Sequence, residues 1–166
     1  AYVLDSAWGL ERGFQVYRDP FNPQEVSKTG AFGEVELRSA DVVNAAVGWW
    51  KVSPGPRFGW VHLYDPHLPW ESHEGWEGDP YRGEVNFTDG LIERLIHAVG
   101  EDALIIVTSD HGESLWEYGE RDHGVLIGRS VTRVPLIIRP PQGLSGSASA
   151  TVRNTPAPPI NRPDGV

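Results

Sequence analysis

A chain of 166 residues, 39% of them apolar, is long enough for one domain with its own core and short of two. Its formal net charge of -9, with no local basic patch, would repel a phosphate backbone, which argues against a nucleic-acid binder and favours small or carbohydrate-like substrates. A mean hydropathy of -0.35 describes a soluble globular protein, no apolar run approaches the roughly 20 residues of a membrane helix, and the lack of cysteine excludes disulfides, thiolate metal sites and a cysteine nucleophile.

The chain opens on Ala1-Tyr-Val-Leu-Asp-Ser6, with neither an initiator methionine nor a basic and apolar leader. It reads as the middle of a longer chain, and the compartment stays open. Residues 18–23 form a loop by their two prolines, Pro20 and Pro23. From Ser39 the pattern changes: Val42, Val43, Ala46, Val47, Trp49 and Trp50 recur at helical spacing. The expectation is an amphipathic helix, with Ser39 or Asp41 accepting hydrogen bonds from its first turn. Ser53-Pro-Gly-Pro-Arg57 ends it, because prolines cannot continue the ladder.

Residues 58–64 read as a buried strand that runs out into Asp65-Pro-His67. A loop follows over residues 68–79, holding Trp70, His73 and Trp76, and these tryptophans either pack a core or wall a ligand pocket. Over residues 83–99, Val85, Leu91, Ile92, Leu95, Ile96 and Val99 make an apolar helical stripe. Gly90 weakens that helix by about 1 kcal/mol relative to alanine. Residues 103–107 are uniformly apolar, and the β-branched Ile105, Ile106 and Val107 suit a strand buried on both faces of a parallel sheet.

Strand, helix and strand in this order predict a right-handed crossover between parallel strands, whose carboxyl ends share one rim. Ligands bind beyond such ends. His67 after the first strand, and Asp110 and His111 after the second, would then face a common crevice. A connection over residues 113–133 carries a second Asp122-His-Gly124, and a segment this long inside a domain is functional or mobile. Residues 134–138 form a third strand, with Pro135 at its start or at an edge. The fold class expected is therefore α/β, a mostly parallel sheet flanked by helices over residues 1–140, followed by a disordered or low-complexity tail over residues 141–166.

Carboxylate oxygen beside imidazole nitrogen is a common pairing for a divalent cation, and Gly112 would let the backbone turn sharply beside it. Asp110 and His111 are thus the candidate metal ligands. The alternative is that Ser109 or Asp110 caps a helix while His111 lies on the surface. His67 could protonate a leaving group or hold an anionic substrate, and His123 faces the same choice. His62, inside a strand pattern, reads as a packed histidine. Glu113, Glu117 and Glu120 either support a metal-bound imidazole or lie solvated on the surface.

Taken together, Val61-His-Leu-Tyr-Asp-Pro-His-Leu-Pro69, Tyr81-Arg-Gly-Glu-Val-Asn-Phe-Thr-Asp89, Ile105-Ile-Val-Thr-Ser-Asp-His-Gly-Glu113, Tyr118-Gly-Glu-Arg-Asp-His-Gly124 and Arg133-Val-Pro-Leu-Ile-Ile138 resemble the sulfatase family of the alkaline phosphatase superfamily. The likeness covers most of residues 1–140. It implies an alkaline phosphatase-like fold and hydrolysis of sulfate monoesters, including small-molecule or carbohydrate esters, or of related phosphate or phosphonate esters. It also implies a metal on Asp110 and His111, with His67 and His123 binding the transferred group or its leaving oxygen as catalytic residues. Many sulfatases have asparagine where His111 stands, so calcium, manganese and zinc all stay open.

Family members use a nucleophile in a Cys/Ser-x-Pro-x-Arg setting and an earlier pair of aspartates. This chain has neither, since Ser53-Pro-Gly-Pro-Arg57 has another proline spacing. The expectation is a fragment that carries the later half of a site, with no nucleophile and no turnover alone. A catalytically silent module that binds a metal or an acidic sugar is the reading from another class. Family members are often periplasmic or secreted, and this chain has no leader from which to choose.

Overall fold

A computed structural model describes residues 4–19 and 37–143. The chain divides into two compact units, Ala1–Ala98 and Val99–Val166. Residues 144–166, most of the expected tail, lie outside the described residues.

In the first unit, Asp5 caps a 3-10 turn over Ser6–Trp8 by accepting the Ala7 N–H at 2.6 Å. Helix α1 spans Ser39–Val52 and helix α2 spans Pro80–Val99. Both were predicted from apolar period, and α2 begins three positions earlier than its stripe suggested because proline is well suited to the first helical position. Val43 is fully buried and Leu91 nearly so. Arg94 of α2 donates to Asn44 Oδ1 of α1 at 2.7 Å. Gly83 is needed where it stands, since a β-carbon there would meet the Trp76 ring at 2.9 Å.

Two expectations fail in this unit. The first turn of α1 is not capped by Ser39 or Asp41: Asp65 Oδ2 accepts the Ser39 N–H at 2.8 Å from 26 residues away. Residues 58–64 form no strand. Apolar, aromatic residues favour a pleated surface only when a ladder partner is present. Here Phe58 and Trp60 instead turn toward Phe14, with ring centroids 6.0 and 6.5 Å away.

In the second unit, strand β1 (Ile105–Thr108) pairs with strand β2 (Leu136–Arg139) in an antiparallel ladder, Ile105 opposite Arg139 and Thr108 opposite Leu136. The expected parallel crossover is therefore not what the described strands make. Apolar runs specify strands but not their direction, and an antiparallel return needs only a partner that comes back along the same edge. Nor is β1 buried on both faces, for Ile106 is 56% exposed and Leu136 on β2 is 53% exposed. Pro135 stands just before β2, where it removes no ladder donor, as expected.

A short helix α3, Arg129–Thr132, carries the buried Val131. Gly112 donates its N–H to the Val131 carbonyl at 2.8 Å. Among the described residues no helix is long and apolar enough to cross a membrane.

Candidate functional site

Asp110 and His111 follow β1 after a single serine, so the strand exit fixes where they start. Asp110 Oδ1 accepts the His111 N–H at 3.0 Å. The other oxygen, Oδ2, lies 3.8 Å from His111 Nε2. His111 Nδ1 is 2.9 Å from the Gly112 carbonyl. A carbonyl only accepts, so Nδ1 holds the proton and Nε2 carries the lone pair.

Those donors suit a cation. Carboxylate and imidazole ligands each sit about 2.0–2.2 Å from a divalent ion, so two donor atoms of one ion are separated by no more than about 4 Å. The Oδ2 to Nε2 separation of 3.8 Å meets that condition. The Asp110 side chain is 65% exposed, which leaves the approach open to an ion from solvent.

His123 comes to the same place. Its ring centroid lies 3.8 Å from that of His111, with the planes at 32°. His123 Nδ1 is 2.8 Å from Asp122 Oδ1 and 3.3 Å from Glu113 Oε1. Two carboxylates at one nitrogen require a proton there, which orients Nε2 as the atom that meets a ligand. Burial pushes the Glu113 acid above its ordinary range; its bond to His123 opposes that, and the charge of Asp122 adds to it. Glu113 is thus more than a surface carboxylate.

The other acids of residues 113–133 build the loop itself. Glu117 Oε2 accepts the Leu115 N–H at 2.5 Å, and Glu120 accepts those of Val125 and Leu126 at 2.9 and 3.1 Å. The buried Ser114 hydroxyl donates to the Glu120 carbonyl at 2.8 Å. Gly112 has a different reason from the one its sequence suggested. A β-carbon there would lie 2.1 Å from the Ser130 carbonyl, so the glycine permits close packing on α3.

His67 belongs to the first unit. Its N–H donates to the Tyr64 carbonyl at 3.0 Å, and its ring stacks on that of Tyr64 at 4.4 Å. Its Nδ1 lies 2.5 Å from the Leu68 carbonyl, so here too Nδ1 holds a proton and Nε2 is the chemically useful nitrogen. His62 is half-buried. Trp70 and Trp76 pack on α2, against Tyr81 and Gly83.

Sequence reasoning missed the links that hold these loops. Glu84 on α2 is 2% exposed and accepts the Glu71 N–H at 2.7 Å, while its other oxygen lies 2.8 Å from His73 Nε2. An acid inside an apolar helical stripe was the available signal. Arg57, in the run whose proline spacing differed, donates to the Trp50 carbonyl at 2.6 Å and stands 4.3 Å over the Trp50 ring. That segment closes the end of α1.

A family model described as Sulfatase matches residues 5–161. Uncharacterized sulfatase YidJ of Escherichia coli K12 is 40% identical over 62 residues, which is 35% of this chain and 12% of that protein. The chain thus covers a small part of that relative's length. No solved structure matches it.

Proposed function

This chain belongs to the sulfatase family, and on that premise we propose that it supplies the cation-binding and proton-donating side of a site that hydrolyses sulfate monoesters. Membership implies an alkaline phosphatase-like α/β fold, of which the described residues contain helices and one antiparallel strand pair. The observation that carries the proposal is the cluster at the end of β1: Asp110, His111 and His123, with the His111 and His123 ring centroids 3.8 Å apart.

In this reading Asp110 and His111 hold a divalent cation, which when bound would polarise the ester and offset the negative charge that grows on its oxygens. Calcium, manganese and zinc all remain candidates for a mixed oxygen and nitrogen pair. Glu113 and Asp122 fix the His123 ring through Nδ1, and as an imidazolium it donates a hydrogen bond from Nε2 to a sulfate oxygen.

His67 acts on the leaving group. As the sulfur–oxygen bond breaks, its electron pair stays on the departing oxygen, and an imidazolium His67 passes its Nε2 proton to that oxygen. The neutral ring that remains keeps its Nδ1 proton on the Leu68 carbonyl. The nucleophile comes from outside this chain, since Ser53 lies in the segment that ends α1. The substrate is a small-molecule or carbohydrate sulfate ester.

The test is a comparison of aryl and sugar sulfates with the matching phosphates on the intact enzyme, before and after removal of divalent cations. Cation-dependent turnover of the sulfates, lost in Asp110→Ala, is expected. Preference for the phosphate esters would move the assignment to phosphoryl chemistry, and full activity in Asp110→Ala would end the metal assignment.

A further inference from the structure

We infer that Ser39 and Asp65 are positioning residues for His67, acting through Tyr64; the inference rests on the reading of His67 as the group that protonates the departing oxygen.

Ser39 is fully buried at the first residue of α1. Asp65 Oδ2 accepts both its N–H, at 2.8 Å, and its hydroxyl. A helix cap needs only the first of these bonds. The serine oxygen also accepts the Tyr64 N–H at 3.3 Å, so one buried side chain ties two successive residues of the His67 loop to the start of a helix.

From Tyr64 two contacts lead to the imidazole. The Tyr64 carbonyl accepts the His67 N–H at 3.0 Å, and the two rings stack at 4.4 Å with planes 19° apart. With Nδ1 on the Leu68 carbonyl at 2.5 Å, the backbone, ring plane and tautomer of His67 are all set. Downstream, Glu84 holds the same loop through Glu71 and His73. His67 thus sits between two buried polar attachments, one to each long helix. A proton donor must be held within hydrogen-bond reach of its acceptor, and rigid elements do this better than a loop alone.

The experiment compares kcat for an alkyl sulfate and for 4-nitrophenyl sulfate in the intact enzyme, as wild type, Ser39→Ala, His67→Ala and the double variant. An alkoxide needs its proton, whereas 4-nitrophenolate leaves well without one. Ser39→Ala should therefore slow the alkyl ester about tenfold or more and the nitrophenyl ester much less. The double variant should be no slower than His67→Ala, because the serine would have nothing left to position. A double variant slower by the product of the two single effects overturns the positioning role. Equal loss on both esters in His67→Ala overturns the proton-donor reading itself.

Asp65→Asn supplies a second measurement that needs no turnover. It keeps an acceptor for the Ser39 N–H but loses the charge. The 15N–1H correlation of the His67 imidazole should shift in Asp65→Asn and in Ser39→Ala, and an unmoved signal in a folded variant overturns the inference.

Discussion

The rings of His111 and His123 lie with centroids 3.8 Å apart, although each belongs to a different turn of the chain. Each has its Nδ1 facing an acceptor, Gly112 carbonyl for one and the Glu113 and Asp122 carboxylates for the other. Both therefore present Nε2 as the reactive atom. Paired imidazoles in one tautomeric sense, next to an exposed aspartate, form a surface suited to a cation.

That surface makes cation binding the first quantity to measure. A titration of manganese or zinc followed by calorimetry should give one site, weakened at least tenfold in Asp110→Ala. A saturating cation stabilises the folded state by about 2.7 kcal/mol at one hundred times its Kd, so it should also raise the melting temperature of the wild type clearly more than that of the variant. An equal rise in both would place the cation elsewhere.

Gly112→Ala should be severe. The new β-carbon would lie 2.1 Å from the Ser130 carbonyl, a backbone atom with no rotamer by which to yield. Overpacking of this kind costs about 3 kcal/mol. Gly90→Ala in α2 is the control, because nothing lies within 4 Å of its β-carbon position. It should stabilise by about 1 kcal/mol. Thermal melts of the two variants should move in opposite directions.

These contrasts show where the sequence was informative. Helix period is a local signal, so α1 was legible through the apolar positions from Val42 to Trp50, and α2 through the stripe from Val85 to Val99. The strands were legible as apolar runs, but β1 starts at Ile105 and β2 at Leu136, each two positions later than expected. Their antiparallel register depends on a partner distant in the chain, and apolar runs do not encode it. The bond from Ser39 to Asp65 spans 26 residues and leaves no periodic trace. The Asp-His-Gly echo at Asp122 pointed toward His123, yet the burial of Glu113 beside it could be seen only in three dimensions.

Glu113 links that burial to pH. Its side chain is 6% exposed, and its acid is raised mainly by loss of solvent, despite the opposing bond to His123. A carboxyl raised in the folded state binds its proton more tightly there than in the unfolded chain, so its contribution favours folding at low pH. That contribution is lost as pH climbs from the ordinary carboxylate range through the raised value. Glu113→Gln removes the ionisation, and its melting temperature, compared with wild type in cation-free buffer, should fall less across this window. Parallel curves for the two proteins would show that Glu113 does not carry the burial penalty.

Glu84 is the counterpart in the first unit, and its variants separate charge from hydrogen bonding. One carboxylate oxygen satisfies the Glu71 N–H and the other meets His73, whose ring stacks on Phe87 at 4.2 Å. Glu84→Ala leaves a backbone donor without its acceptor and frees the histidine side of the loop, at a cost of about 2 kcal/mol. Glu84→Gln keeps an acceptor for Glu71 and an amide that can meet His73, so about 1 kcal/mol is expected. Chemical denaturation resolves that difference. If the loop that carries His67 is held at Glu84, the alanine variant should also show faster amide exchange from Glu71 to His73 than the glutamine variant, because local opening follows the loss of the buried acceptor. Equal exchange in both would mean that stacking on Phe87, which neither variant touches, is what holds the loop.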